Sequence, residues 1–138
     1  MKQNDMSFIK KETIFSPFFL LKLEAMLWFC VGLFLFHYVH GSWWTFFFLF
    51  LIPDLSLIAK IFDMTRAKQL YNLTHTEIVP ALLVVLSMAC SMPIVLHLGV
   101  IWFCHINFDR MLGLGLKYLD KSNCTHLGIS LFKSISNT

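Results

Sequence analysis

HINFDRMLGLGLK, residues 105–117, closes the last long apolar run of the chain. It sets a histidine, an aspartate and an arginine into a segment made mostly of apolar residues. Ionisable side chains inside a membrane-crossing helix are costly unless they pair or line a cavity, so each is a candidate for function. Three earlier apolar runs carry the same kind of intrusion, at Glu24, Asp54 and His75. The fold therefore turns on where these runs lie and whether their polar groups share a level.

The surrounding composition fits lipid better than water. Of 138 residues, 57% are hydrophobic and only 14% charged, with 15 Phe in a single-domain length. A soluble domain is nearer one-quarter charged, and so small a core would struggle to cover that many rings. The net charge of +3 acts here as an orientation signal, since no basic run interleaved with aromatics suggests a nucleic-acid partner. Cys30, Cys90, Cys104 and Cys124 form no C-x-x-C pair and suggest neither a disulfide framework nor a zinc knuckle.

Four apolar runs are each long enough to cross a bilayer, which takes about 20 helical residues. The expected architecture is all-α, a four-transmembrane-helix bundle over residues 18–116. Its spans cover about 18–39, 43–62, 69–90 and 94–112, with an N-terminal arm over 1–17 and a tail over 117–138. The first run is too long for a signal-peptide core and no small-residue cleavage site follows it, so it is read as an uncleaved span. His40-Gly41-Ser42 makes a tight turn, with Gly41 supplying backbone freedom and Ser42 placed to cap the next helix. Trp43 and Trp44 mark a membrane interface. Pro53 kinks the second span beside Asp54. His37 and His97 fall near the outer surface, where solvation accounts for them.

All 11 Lys and Arg residues lie in the arm, the 60–68 link, the tail or the adjoining span ends, and the turns at 40–42 and 91–93 have none. The positive-inside rule then puts both termini in the cytoplasm. With that topology Glu24, Asp54, His75 and His105 all fall about 9–12 Å from the cytoplasmic helix ends, at 1.5 Å of rise per residue. His105 and Asp109 share a face at i,i+4, and Asn72 and His75 at i,i+3.

Mixed histidines and carboxylates at one depth suit a divalent metal such as zinc, iron or manganese. The expected ligands are His75, His105 and Asp109, with His126 of the tail folding back as another. Glu24 and Asp54 are the expected catalytic acid and base. Asn72, Arg110 and Lys117 are the expected contacts to an anionic substrate headgroup.

At these same residues the chain resembles a family of small bacterial integral-membrane proteins, domain of unknown function 4260. The resemblance runs from about Leu21 to Gly128. It rests on Leu23-Glu24, Gly41-Ser42-Trp43-Trp44, Pro53-Asp54-Leu55-Ser56, Tyr71-Asn72-Leu73-Thr74-His75, HINFDR at 105–110, GLGLK at 113–117 and Thr125-His126-Leu127-Gly128. It implies a small multi-span membrane protein and supplies no established activity.

Four functions compete on the sequence. The first is a membrane-embedded, metal-dependent hydrolase of a lipid-like substrate, with membrane lipid as its partner. The second is a small-cation or proton binding and transport module, which with so few spans requires a homo-oligomer. The third is a haem protein with His75 and His105 as axial ligands. The last is a structural membrane protein whose polar layer only pairs helices, for example Glu24 or Asp54 with Arg110 or Lys22.

Overall fold

The computed structural model describes residues 16–55, 64–117, 124–125 and 128–129. The fold is helical, apart from one antiparallel pair of two-residue strands, β1 (Cys124–Thr125) and β2 (Gly128–Ile129). Among the described residues the helices are α1 (Pro17–Tyr38), α2 (Trp43–Phe50), α3 (Met64–Thr74), α4 (Ile78–Ala89) and α5 (Pro93–Leu112).

Helix α1 starts where the sequence says it should. Pro17 has the φ a first helical residue needs, and Ser16 Oγ accepts from the Phe19 N–H at 3.2 Å. The turn after α1 corrects two expectations. The left-handed residue is His40, with φ 57°, rather than Gly41. Gly41 is required for space, because a Cβ there would overlap the Phe36 ring. Ser42 occupies the cap position of α2 but makes no side-chain capping bond.

The second and third runs are not continuous helices. Helix α2 stops at Phe50, and residues 52–55 tighten into a 3₁₀ turn in which the Asp54 N–H donates to Leu51 O at 3.2 Å. The rest of the expected second span, 56–62, lies outside the described residues, as do the arm over 1–15 and His126. The third run breaks at residues 75–77, between α3 and α4. Pro80, buried in the first turn of α4, explains this: it has no N–H to give the Thr76 carbonyl, and its ring crowds that carbonyl. Thr74 O at the end of α3 is satisfied instead by the Trp102 indole N–H at 2.7 Å.

Helix α5 is the centre of the fold and packs against α1, α2 and α4. Phe36, Val100, Ile101 and Cys104 form the buried core, ringed by Phe29, Phe46, Phe50 and Val84. Gly32 lets α1 approach so closely that a Cβ would overlap Cys104 Sγ. His97 is also part of this packing: its Nε2 lies 3.1 Å from Val39 O and its ring meets Phe36 edge-on, so solvation is not its role. Gly113, at φ 87°, closes α5 with bonds from Gly113 N to Arg110 O and Leu114 N to Asp109 O. That closure fixes Asp109 and Arg110 in the final turn.

Among the described residues, two stretches are long and apolar enough to cross a membrane, Pro17–Tyr38 and Arg66–Ala89, the second running through α3 and α4. Only 11% and 17% of their apolar windows are buried inside the protein, whereas the core helix of a soluble domain is mostly covered. Phe34 on α1 and Ile94 on α5 are 71% and 74% exposed.

Candidate metal centre

The break in the third run creates the site. Released from the helix, His75 stacks its ring on Tyr71, centroids 3.8 Å apart and planes 16° from parallel. Its Nδ1 lies 3.0 Å from Tyr71 O and 3.0 Å from Thr74 Oγ1. A carbonyl can only accept, so Nδ1 carries a proton, and in the neutral ring Nε2 keeps its lone pair. Fixing the tautomer through the outer nitrogen is how proteins aim an imidazole at a metal.

Nε2 of His75 points at three other groups. His105 Nε2, from α5, is 3.3 Å away, and Asp109 Oδ2, one turn further along α5, is 3.4 Å away. Asp54 Oδ1, from the 3₁₀ turn after α2, is 3.5 Å away. His105 Nε2 in turn lies 3.6 Å from Asp54 Oδ1 and 3.8 Å from Asp109 Oδ2. The four donor atoms all fall within 4.8 Å of one another. His75, His105 and Asp109 are buried and Asp54 is half-buried, so the group opens on the Asp54 side.

This arrangement fits a divalent cation. Ligands about 2.0–2.1 Å from a tetrahedral zinc stand roughly 3.3–3.4 Å from each other, close to the 3.3–3.8 Å of five of the six pairs here. Two carboxylates and two neutral imidazoles carry two negative charges, which one divalent ion balances. Buried charges without such a partner are costly. The donor set, two nitrogens and two oxygens, suits zinc, iron or manganese. A haem does not fit, because nitrogens 3.3 Å apart leave no room for a porphyrin between them.

Two spaces adjoin the group. An apolar cavity of about 460 Å³ is lined by Ile52, Pro53, Leu55, Thr74, Ile101 and Trp102, among them the chain neighbours of Asp54 and His75. A gap of about 10 Å³ touches His75, Asp109, Tyr71 and Arg110, which is near the size of one water.

The other expected site residues lie elsewhere. Glu24 is not among the four donors; it lines a separate cavity between α1 and α5 with Glu77, Asn107 and Arg110. Arg110 pairs with Glu77 at 2.8 Å rather than with Glu24 or Asp54. Asn72 holds the backbone of Lys117 at both ends of its amide: Nδ2 donates to Lys117 O and Oδ1 accepts from Lys117 N, each at 2.7 Å. Lys117 Nζ sits 3.5 Å from the Tyr71 ring centroid. Tyr71 has His75 stacked equally close, so the two groups occupy opposite faces of the ring. Asp54, expected as acid or base, stands with the donors.

Sequence reasoning missed Tyr71 and Glu77. A signal existed for Glu77: Arg110, expected at the end of a span, requires a counter-charge, and Glu77 is the one acid of the polar stretch YNLTHTE.

The family model described as Domain of unknown function (DUF4260) matches residues 19–129. No curated protein and no solved structure matches the chain.

Proposed function

The chain belongs to the DUF4260 family, and we propose that it is a four-span inner-membrane protein whose polar centre holds a divalent metal and hydrolyses a lipid-like substrate. The convergence of Asp54, His75, His105 and Asp109, drawn from three elements onto one point, carries this reading. The exposed apolar faces of α1, α4 and α5 support the bundle, and the absence of Lys and Arg from the 40–42 and 91–93 turns supports cytoplasmic termini.

His75, His105 and Asp109 are the buried ligands. A metal held there would lower the pKa of a bound water and polarise the ester under attack. Asp54, the least buried of the four, is placed to take the proton that water gives up. The apolar cavity beside Asp54 accommodates an acyl chain, and Lys117, whose Nζ lies over the Tyr71 ring, supplies positive charge near the headgroup end, while Arg110 is held by Glu77. Glu24 has no part in this chemistry.

A second reading has its own support. Four protein donors around one ion is the arrangement of structural metal sites, which keep no open position. On that reading the ion clamps α5 to the 3₁₀ turn and to the α3–α4 break.

Elemental analysis of the detergent-purified chain, followed by a lipid assay, separates these outcomes. The proposal expects one divalent ion per chain, lost in His75→Ala and His105→Ala. It expects chelator-sensitive release of fatty acid or phosphate from mixed-lipid vesicles, abolished in Asp54→Asn. One ion per chain with no lipid consumed establishes the clamp. No stoichiometric ion rules out both.

A further inference from the structure

Helix α5 presents a second polar face that the metal centre does not use. Asn107 and Arg110 lie at i,i+3 on one side of α5, while Asn107 is offset by about 200° from both His105 and Asp109 at 100° per residue. Asn107 is 1% exposed. Its Nδ2 donates to Phe103 O at 3.0 Å, and its Oδ1 has no partner among the described residues. The amide cannot be turned over to relieve this, because two oxygens would then face each other. A buried acceptor left without a donor costs about 1–3 kcal/mol, so it marks a place where a donor belongs.

The space beside it is a cavity of about 280 Å³, bounded by Glu24, Ala25, Trp28, Glu77, Asn107 and Arg110. Glu77 and Arg110 neutralise each other at 2.8 Å. Glu24 adds a carboxylate, so the lining carries a net charge of −1. An orphan carbonyl oxygen, a surplus carboxylate and an indole beside them call for a cation that also donates hydrogen bonds. The volume is far larger than a bare alkali ion needs and suits a small organic group.

We propose that this α1–α5 cavity binds a primary ammonium group, with Asn107 Oδ1 and the Glu24 carboxylate accepting its N–H donors. A quaternary ammonium has no N–H to give Asn107 and is excluded on that ground. The group belongs either to an aminophospholipid headgroup or to a small soluble amine. The site shares Arg110 with the surroundings of the metal centre but uses none of its four donors.

The test uses the full chain, loaded into nanodiscs with equal phosphatidylethanolamine and phosphatidylcholine, with retained lipid counted by native mass spectrometry. The expected result is one phosphatidylethanolamine kept per chain, with phosphatidylcholine at least about tenfold less, the scale of one charge-assisted hydrogen bond. Glu24→Gln and Asn107→Ala should both abolish the preference, and His105→Ala should keep it. Glu24 is exposed, so its variant tests binding without disturbing the core. Retention of neither lipid, with ethanolamine binding seen by calorimetry and lost in Glu24→Gln, assigns the site to a soluble amine. Equal retention of both lipids with no amine binding overturns the proposal, as does a Glu24→Gln variant that behaves like the native chain.

Discussion

Nε2 of His75 and Nε2 of His105 stand 3.3 Å apart in the interior, though the residues are 30 positions apart in the chain. The His75 nitrogen bears a lone pair, because its other nitrogen is committed to Tyr71 O. The two carboxylate oxygens, 3.4–3.8 Å from these nitrogens, crowd negative charge together unless a positive charge lies among them. The predictions about the centre follow from what supplies that charge.

Metal binding should be lost on acidification. Imidazole nitrogens and carboxylates ligate only when deprotonated, so protons compete with the ion and affinity rises with pH. Dialysis of the loaded protein across a pH series, with the retained ion measured at each step, should give a falling curve toward acid. A flat curve would contradict metal held through His75 and His105.

Chelation should lower thermal stability. An ion bound only by the folded chain adds about 2.7 kcal/mol when its free concentration is a hundredfold above Kd. Thermal unfolding in detergent should therefore shift down on chelation in the native chain and stay unmoved in His75→Ala.

Tyr71 holds His75 through ring stacking and a backbone carbonyl, so the variants at this position should separate. Tyr71→Phe keeps the stack and should bind metal like the native chain. Tyr71→Leu removes the ring that positions His75, and affinity should fall by roughly 10–100-fold, the range for groups that orient a ligand. A competition titration against a fluorescent chelator measures both.

Asn72 joins α3 to the strand-like residue Lys117 by two bonds of 2.7 Å. Asn72→Asp replaces the donor to Lys117 O with an oxygen and should destabilise this junction by about 1–3 kcal/mol. Trypsin should then cut after Lys117 faster than in the native chain.

Gly32→Ala should destabilise the α1–α5 contact by about 1–3 kcal/mol, because the added methyl meets Cys104 Sγ. Cys104→Ala removes that sulfur and should restore most of the loss. A double-mutant cycle on Tm would show the two changes as strongly coupled.

The helix ends were legible where caps are local. Ser16-Pro17, Ser91-Met92-Pro93 and Gly113 mark the bounds of α1 and α5 within a residue or two of those expected. The break at 75–77 was not, because apolar content reads 69–90 as one run while Pro80 acts on backbone bonding that hydropathy does not register. Depth arithmetic brought Asp54, His75 and His105 to one level, where the structure also has them. It failed to separate Glu24, since rise along a helix fixes height and says nothing of direction around the bundle. Glu24 has the right height on the opposite side of α5.

The four donors also impose an order on biosynthesis. Asp54 and His75 emerge from the ribosome well before His105 and Asp109, and the earlier pair cannot enclose an ion. On the proposed four-span reading, a centre that needs α5 in place can be filled only after the last helix has entered the bilayer. Metal capture would then report complete insertion, and a chain stalled before α5 would remain unfilled and open to membrane proteolysis.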